Sequence, residues 1–180
     1  NPAQEVVLTR VTYLFLPPLS SKGRGSENLL PAHEHLSLRH FERNDWSWLK
    51  IWFQDEAINR ELGPLDDEWL EHVLADRRGV QLVAEQDEQP VAIIGVTWGD
   101  EKDQRHGITD LAVHPEKRRG GIGSKSVVAV LSWNGHPPTN KWIAFADLEN
   151  LPPQRMLIAL GWREFENDGK MLGFELDIKG

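Results

Sequence analysis

Between Asp110 and Ser124 the chain reads DLAVHPEKRRGGIGS, and here the residue types and spacing could do chemistry. An apolar run ends at Val113, Pro115 stops strand pairing, and glycines at 120, 121 and 123 open a segment with helical periodicity. A glycine-rich turn running into a helix aims main-chain N–H groups at one spot, adds the helix dipole and lets a ligand approach the backbone closely. Lys117, Arg118, Arg119 and Lys125 crowd within nine positions of an otherwise acidic chain. The segment is an anion cradle, and its expected guest is a phosphate or pyrophosphate.

Two familiar phosphate sites do not fit. A P-loop needs Gly-Lys-Ser/Thr, whereas Gly123-Ser124-Lys125-Ser126 places a serine between glycine and lysine. A dinucleotide fingerprint needs G-x-G-x-x-G, and position 126 is Ser rather than Gly. The spacing V-x-P-x-x-R-x-x-G-x-G instead closely resembles the acetyl-CoA motif of the GNAT superfamily of N-acetyltransferases. Arg118-x-x-Gly121-x-Gly123 matches its Arg/Gln-x-x-Gly-x-Gly/Ala core, and Asp110–Val113 looks like its fourth strand. Downstream, Asn150 followed by Gly161-Trp162 resembles the family's later motif, an Asn opening a helix that ends in Gly-aromatic. With the order of elements, the resemblance spans about residues 36–178.

The resemblance implies an α/β fold: a mixed, mostly antiparallel sheet of six to seven strands with about four helices, its fourth and fifth strands splayed. The pantetheine arm of acetyl-CoA would lie in that gap, against main-chain groups of Leu111 and Val113 with Ala112 between them. Arg118, Arg119, Gly120, Gly121, Ile122, Gly123 and Ser124 would receive the pyrophosphate, and Lys117 or Lys125 would assist a CoA phosphate. Asn150 would hydrogen-bond near the arm. Acetyl-CoA is then a cosubstrate, with no metal. The implied function is direct transfer of an acetyl group to a primary amine of a small molecule in a ternary complex. The alternatives are a protein lysine or N-terminal amine as acceptor, or a CoA-binding regulatory module without turnover.

An acceptor amine with a pKa of ~10 must lose a proton before it attacks. Asp110 reads as the group that orients the ammonium or relays its proton through water, and equally as an acid capping a strand bulge. His106 could serve as base, although its place before the strand puts it on a loop. Many relatives use a Tyr seven residues after the Asn to protonate the leaving thiolate; here that position is Leu157. Water or Ser124 would have to replace it, and no cysteine is present for covalent catalysis.

The elements that must position these residues follow in turn. Leu36, Leu38 and Phe41 suggest a first strand. Asn44 or Asp45 caps a helix carrying Trp48, Leu49, Trp52 and Phe53 on one face, broken by Gly63-Pro64. Asp66-Asp67-Glu68 open a second helix with acids where its dipole favours them. Strands are expected at 80–84, 91–96, 108–113, 143–146 and 174–178, and helices at 121–133 and 153–160. The order indicates one α/β sandwich around one sheet. The compact domain is expected over 36–180, after an arm or linker at 1–35 rich in Pro, Ser, Gly and charge, with room for an extra strand.

At 180 residues with a formal charge of −8, the chain is one domain without the positive footprint that nucleic acids or anionic membranes require. The charge suits solubility and also a cationic substrate. The apolar stretch Val11–Leu19 behind Arg10 is interrupted by Pro17-Pro18, so we expect a cytoplasmic protein. A homodimer is compatible with these features. Trp48, Trp52, Asp55, Glu56, Asp66, Asp67 and Glu68 could line an acceptor pocket for a cation, or form core and helix cap. His33-Glu34-His35 has zinc-like spacing without a further ligand, and reads as solvated linker. Trp98 and Asp100 read as an ordinary turn.

Overall fold

Strand-forming residues from Ser37 to Asp177 build one seven-stranded sheet in the structure, a computed structural model that describes residues 36–178. The arm at 1–35, with Tyr13 and His33-Glu34-His35, lies outside the described residues. In chain order the elements are β1 (Ser37–His40), α1 (Trp46–Trp52), α2 (Glu56–Leu62), α3 (Asp67–Ala75), β2 (Gly79–Gln86), β3 (Gln89–Thr97), β4 (His106–Val113), α4 (Ile122–Leu131), β5 (Lys141–Asp147), α5 (Leu151–Ala159), β6 (Arg163–Asn167) and β7 (Met171–Asp177). The sheet order is β1-β2-β3-β4-β5-β7-β6, and every neighbouring pair is antiparallel except β4–β5. No helix among the described residues is long and apolar enough to cross a membrane.

Both faces of the central strands are covered, which is why Val91–Val96 reads as a continuous apolar run rather than an alternating one. Leu82, Ile94, Ile108 and Leu111 pack with Ile122, Val127 and Val130 of α4 and Met156 and Leu157 of α5. On the opposite face Val83, Ile93 and Ala112 pack with Leu49, Trp52, Ile58 and Leu70 from α1, α2 and α3. Truncating a fully buried member such as Leu82 or Leu111 to alanine would cost about 2–5 kcal/mol.

Three elements depart from expectation. The helix expected from residue 44 or 45 to Gly63 is two helices, making five α-helices among the described residues, because Asp55 accepts the Ile58 N–H (3.1 Å) and starts α2 afresh. Asp45 does not cap α1. Its buried carboxylate accepts the Glu42 N–H, the Trp48 indole and two bonds from Arg39. β6 has no buried residue and so carries no pattern to read. α5 begins two residues earlier than expected, since Pro152 and Pro153 occupy its first turn, where a missing N–H costs nothing.

Candidate active site

Strand β4 positions the site. Its parallel pairing with β5 runs from His106↔Trp142 to Ile108↔Ala144, and beyond that no register is shared. The two strands therefore part at mid-sheet. The His114 N–H donates to the Val91 carbonyl at 2.9 Å. Alternation along β4 then turns the main chain of Ala112 toward β3, and the main chains of Leu111 and Val113 toward the gap. Ala112 thus departs from its expected place among the cofactor contacts: its backbone serves the β3 ladder and its side chain the helix-covered core.

The glycine-rich turn lies where β4 ends. After a 3₁₀ turn at Pro115–Lys117, Arg118 is extended, Arg119 takes φ +71° and Gly121 takes φ +73° as the N-cap of α4. Left-handed backbone is natural for Gly121 and strained for Arg119, which is the kind of conformation that persists at ligand sites. Nothing lies within 4 Å of where a Gly121 Cβ would project, so that side of the turn is open. Gly120 is exposed, Gly123 buried and Ser124 half-buried on the first turn of α4, and Ile122 anchors the helix in the core. The Arg118 side chain does not join the turn. Its guanidinium grips Asp55 through two bonds of 2.8 and 3.2 Å.

Asn150 is the residue at the N-cap of α5, without a side-chain bond to that helix. Its Nδ2 is buried and has no hydrogen-bond partner among the described residues. A buried donor without an acceptor costs about 1–3 kcal/mol, and the indole N–H groups of Trp142 and Trp162 share that condition. Gln154 holds this loop in place by donating from Nε2 to the carbonyls of Asp147 (2.8 Å) and Leu148 (3.1 Å). Gly161 ends the run with φ +86°, and Trp162 is buried behind it. Leu157, where many relatives carry Tyr, is fully buried in the core.

Asp110 faces the α1–α3 side of the sheet, beside a bulge at Gly95/Val96. It accepts from Gln81 Nε2 (3.0 Å), the Gly95 N–H (3.1 Å) and the Thr109 hydroxyl (3.2 Å). Burial pushes its carboxyl above the ordinary carboxylate range, and these three bonds oppose the shift without cancelling it. Gly95 is required opposite it, because a Cβ there would collide with the Asp110 carboxylate and the Thr109 hydroxyl. Gln81, Gly95 and Thr109 escaped the sequence reading; a glycine inside an apolar strand was the available signal.

His106 is not the exposed loop residue expected, nor is it placed as a base. It is 3% exposed at the start of β4, in the paired half. Nδ1 accepts the Gly99 N–H (2.9 Å), so the neutral ring carries its proton on Nε2, which donates to the Pro137 carbonyl (2.9 Å). Both nitrogens are occupied, and burial lowers the ring's pKa. Of the residues suggested for an acceptor pocket, Trp52 is core, Asp66 caps α3 by accepting the Trp69 N–H, and Asp55 holds Arg118. Asp100 caps a tight turn and Trp98 stacks on Trp133, as an ordinary turn would.

The chain's likenesses agree with this geometry. Over 80% of the chain and 94% of the other, it superposes on an aminoglycoside acetyltransferase, AAC(6′)-Ib, in complex with paromomycin and acetyl-CoA, with TM-score 0.67 and 21% identity. An acetyltransferase from Thermus thermophilus matches 81% of this chain and 99% of its own, with TM-score 0.70 and 16% identity. A chimera of the Vibrio cholerae spermidine N-acetyltransferase matches 80% and 96%, with TM-score 0.66 and 15% identity. At such identities these likenesses establish the fold. No curated protein matches the chain in sequence. The profile of the acetyltransferase (GNAT) family matches residues 41–162, well over half of the chain, and takes in the parted strands, the glycine-rich turn and the Asn150 helix. The chain belongs to the acetyltransferase (GNAT) family.

Proposed function

We propose that the protein is an N-acetyltransferase that moves an acetyl group from acetyl-CoA to a primary amine of a small molecule, by direct attack in a ternary complex. The observation that carries this reading is the parting of β4 from β5 after Ile108, with the main chains of Leu111 and Val113 turned into the gap. Acetyl-CoA supplies the activated acyl thioester. The turn from Arg119 to Ser124 holds its pyrophosphate through main-chain donors and the α4 dipole. The Asn150 amide supplies a donor beside the gap, and the N–H groups of Leu111 and Val113 orient and polarise acyl and amide carbonyls. Asp110 draws the acceptor's ammonium to the α1–α3 face and takes its proton, directly or through water. The spermidine and aminoglycoside acetyltransferases among the structural neighbours support a small amine as acceptor.

Leu157 favours a second reading. With an aliphatic core residue in place of the usual phenol, and His106 occupied by backbone partners, a CoA-binding module without turnover is the competing function. Thiol release from acetyl-CoA, measured against polyamines, aminoglycosides, amino acids and peptides, separates the two. Turnover with a small amine supports the enzyme; turnover on peptides alone moves the acceptor to protein. Thermal stabilisation by CoA with no thiol release on any acceptor supports the module.

A further inference from the structure

The Asp55–Arg118 ion pair joins two parts of the fold that the sequence keeps 63 residues apart. Asp55 is the N-cap of α2, and Arg118 immediately precedes Arg119, whose backbone is left-handed at φ +71°. The contact is bidentate, a planar fork on a carboxylate, and its side chains are only 27% and 18% exposed. Water therefore screens it less than a typical surface pair. Beside it, the buried Trp52 at the end of α1 meets the His114 ring edge-on, with centroids 4.9 Å apart. The α1–α2 junction is thus bolted to the turn at two points, one apolar and one ionic.

The pair has a chemical consequence. A turn that already contains Lys117, Arg119 and Lys125 would be expected to use Arg118 as a further cation toward a pyrophosphate. Asp55 neutralises that charge and directs the guanidinium to α2. The Arg118 side chain fixes the turn's entry instead, immediately before a residue held at φ +71°. A strained non-glycine conformation lasts only where its surroundings over-determine it.

We propose that Asp55 is a positioning residue of the cofactor turn: through its clamp on Arg118 it holds the turn ready for the pyrophosphate and ties the start of α2 to turn occupancy. The inference rests on the reading of this turn as the CoA site. The ligand then meets a preformed backbone, which lowers the ordering cost of binding.

Calorimetry with CoA on the wild type, Asp55→Asn, Arg118→Lys and the double variant tests this. Asparagine still caps α2, so Asp55→Asn folds, and circular dichroism melts confirm the folded state at the assay temperature. Each single change is expected to weaken CoA binding about tenfold, and the double change no further than either alone, because both remove one clamp. Unchanged or tighter binding by Asp55→Asn overturns the proposal, as does a hundredfold, additive loss in the double variant. A lowered melting temperature with an unmoved dissociation constant also overturns it, marking the pair as purely structural. A wild type that binds no CoA sinks the underlying reading of the turn instead, and is told apart by the wild-type titration alone.

Discussion

Ile108 and Ala144 are the last residues at which β4 and β5 stand side by side, and the sheet opens immediately beyond them. What β4 carries past that point falls into two sets by simple alternation. Leu111 and Val113 give their main chain to the gap, while Asp110 and Ala112 put their side chains on the α1–α3 face. Under the proposed function, one strand would serve the thioester with its backbone and the amine with a carboxylate, as a ternary-complex transfer requires.

Amide exchange reads this division directly. On CoA binding, the N–H groups of Leu111 and Val113 should slow by about tenfold or more, while that of Ala112, already committed to β3, stays where it was. Equal protection of all three, measured by NMR, would contradict the alternation.

Asp110→Asn should keep the fold, since an asparagine oxygen still accepts from Gln81 and Gly95, yet lower kcat by about 10²-fold. Because burial raises the Asp110 carboxyl, the active carboxylate form is lost as pH falls through a value above the ordinary ~3.9. The wild-type rate should therefore drop on an acid limb at that raised value, and the variant should lack the limb. An unaltered pH–rate profile would remove Asp110 from the chemistry.

His106→Gln addresses stability rather than rate. The native ring is held neutral with a lowered pKa, so the unfolded state binds its proton more readily below about pH 6.5, and stability must fall as pH drops through that range. The variant should lose about 1–3 kcal/mol in urea unfolding at pH 7 and show a flatter acid dependence, with kcat unchanged in the folded protein.

Arg119→Gly separates strain from charge. Glycine accepts φ +71° without a steric penalty, so stability should stay within about 1 kcal/mol of the wild type. Losing the cation beside the turn should still weaken CoA binding about tenfold. Calorimetry and thermal melts on one sample measure both.

Much of this was legible in the residues. The motif from Val113 to Gly123 located the turn because glycine, proline and clustered cations are local signals, and the Asn150–Gly161 spacing framed α5 for the same reason. The contacts that tune the site were not legible. Gln81 reaches Asp110 across 29 positions, and Asp55 reaches Arg118 across 63. Neither pair leaves a trace in local spacing. His106 misled because its place before the expected strand argued for a loop, whereas β4 begins at His106 itself and a satisfied neutral imidazole is at home in a core. β6 was invisible because Phe165, half-buried against Phe145, is its single covered side chain and leaves no alternating pattern.

The most direct test is calorimetric titration of acetyl-CoA into the wild type and Gly121→Glu. At φ +73° with open space around it, the new side chain costs only about 1–2 kcal/mol of strain, while its carboxylate takes the anion's place at the N-terminus of α4. Heat of binding at one site per chain in the wild type, abolished in a folded Gly121→Glu, is the predicted result. A wild type that gives no heat, or a variant that binds as tightly, would contradict it.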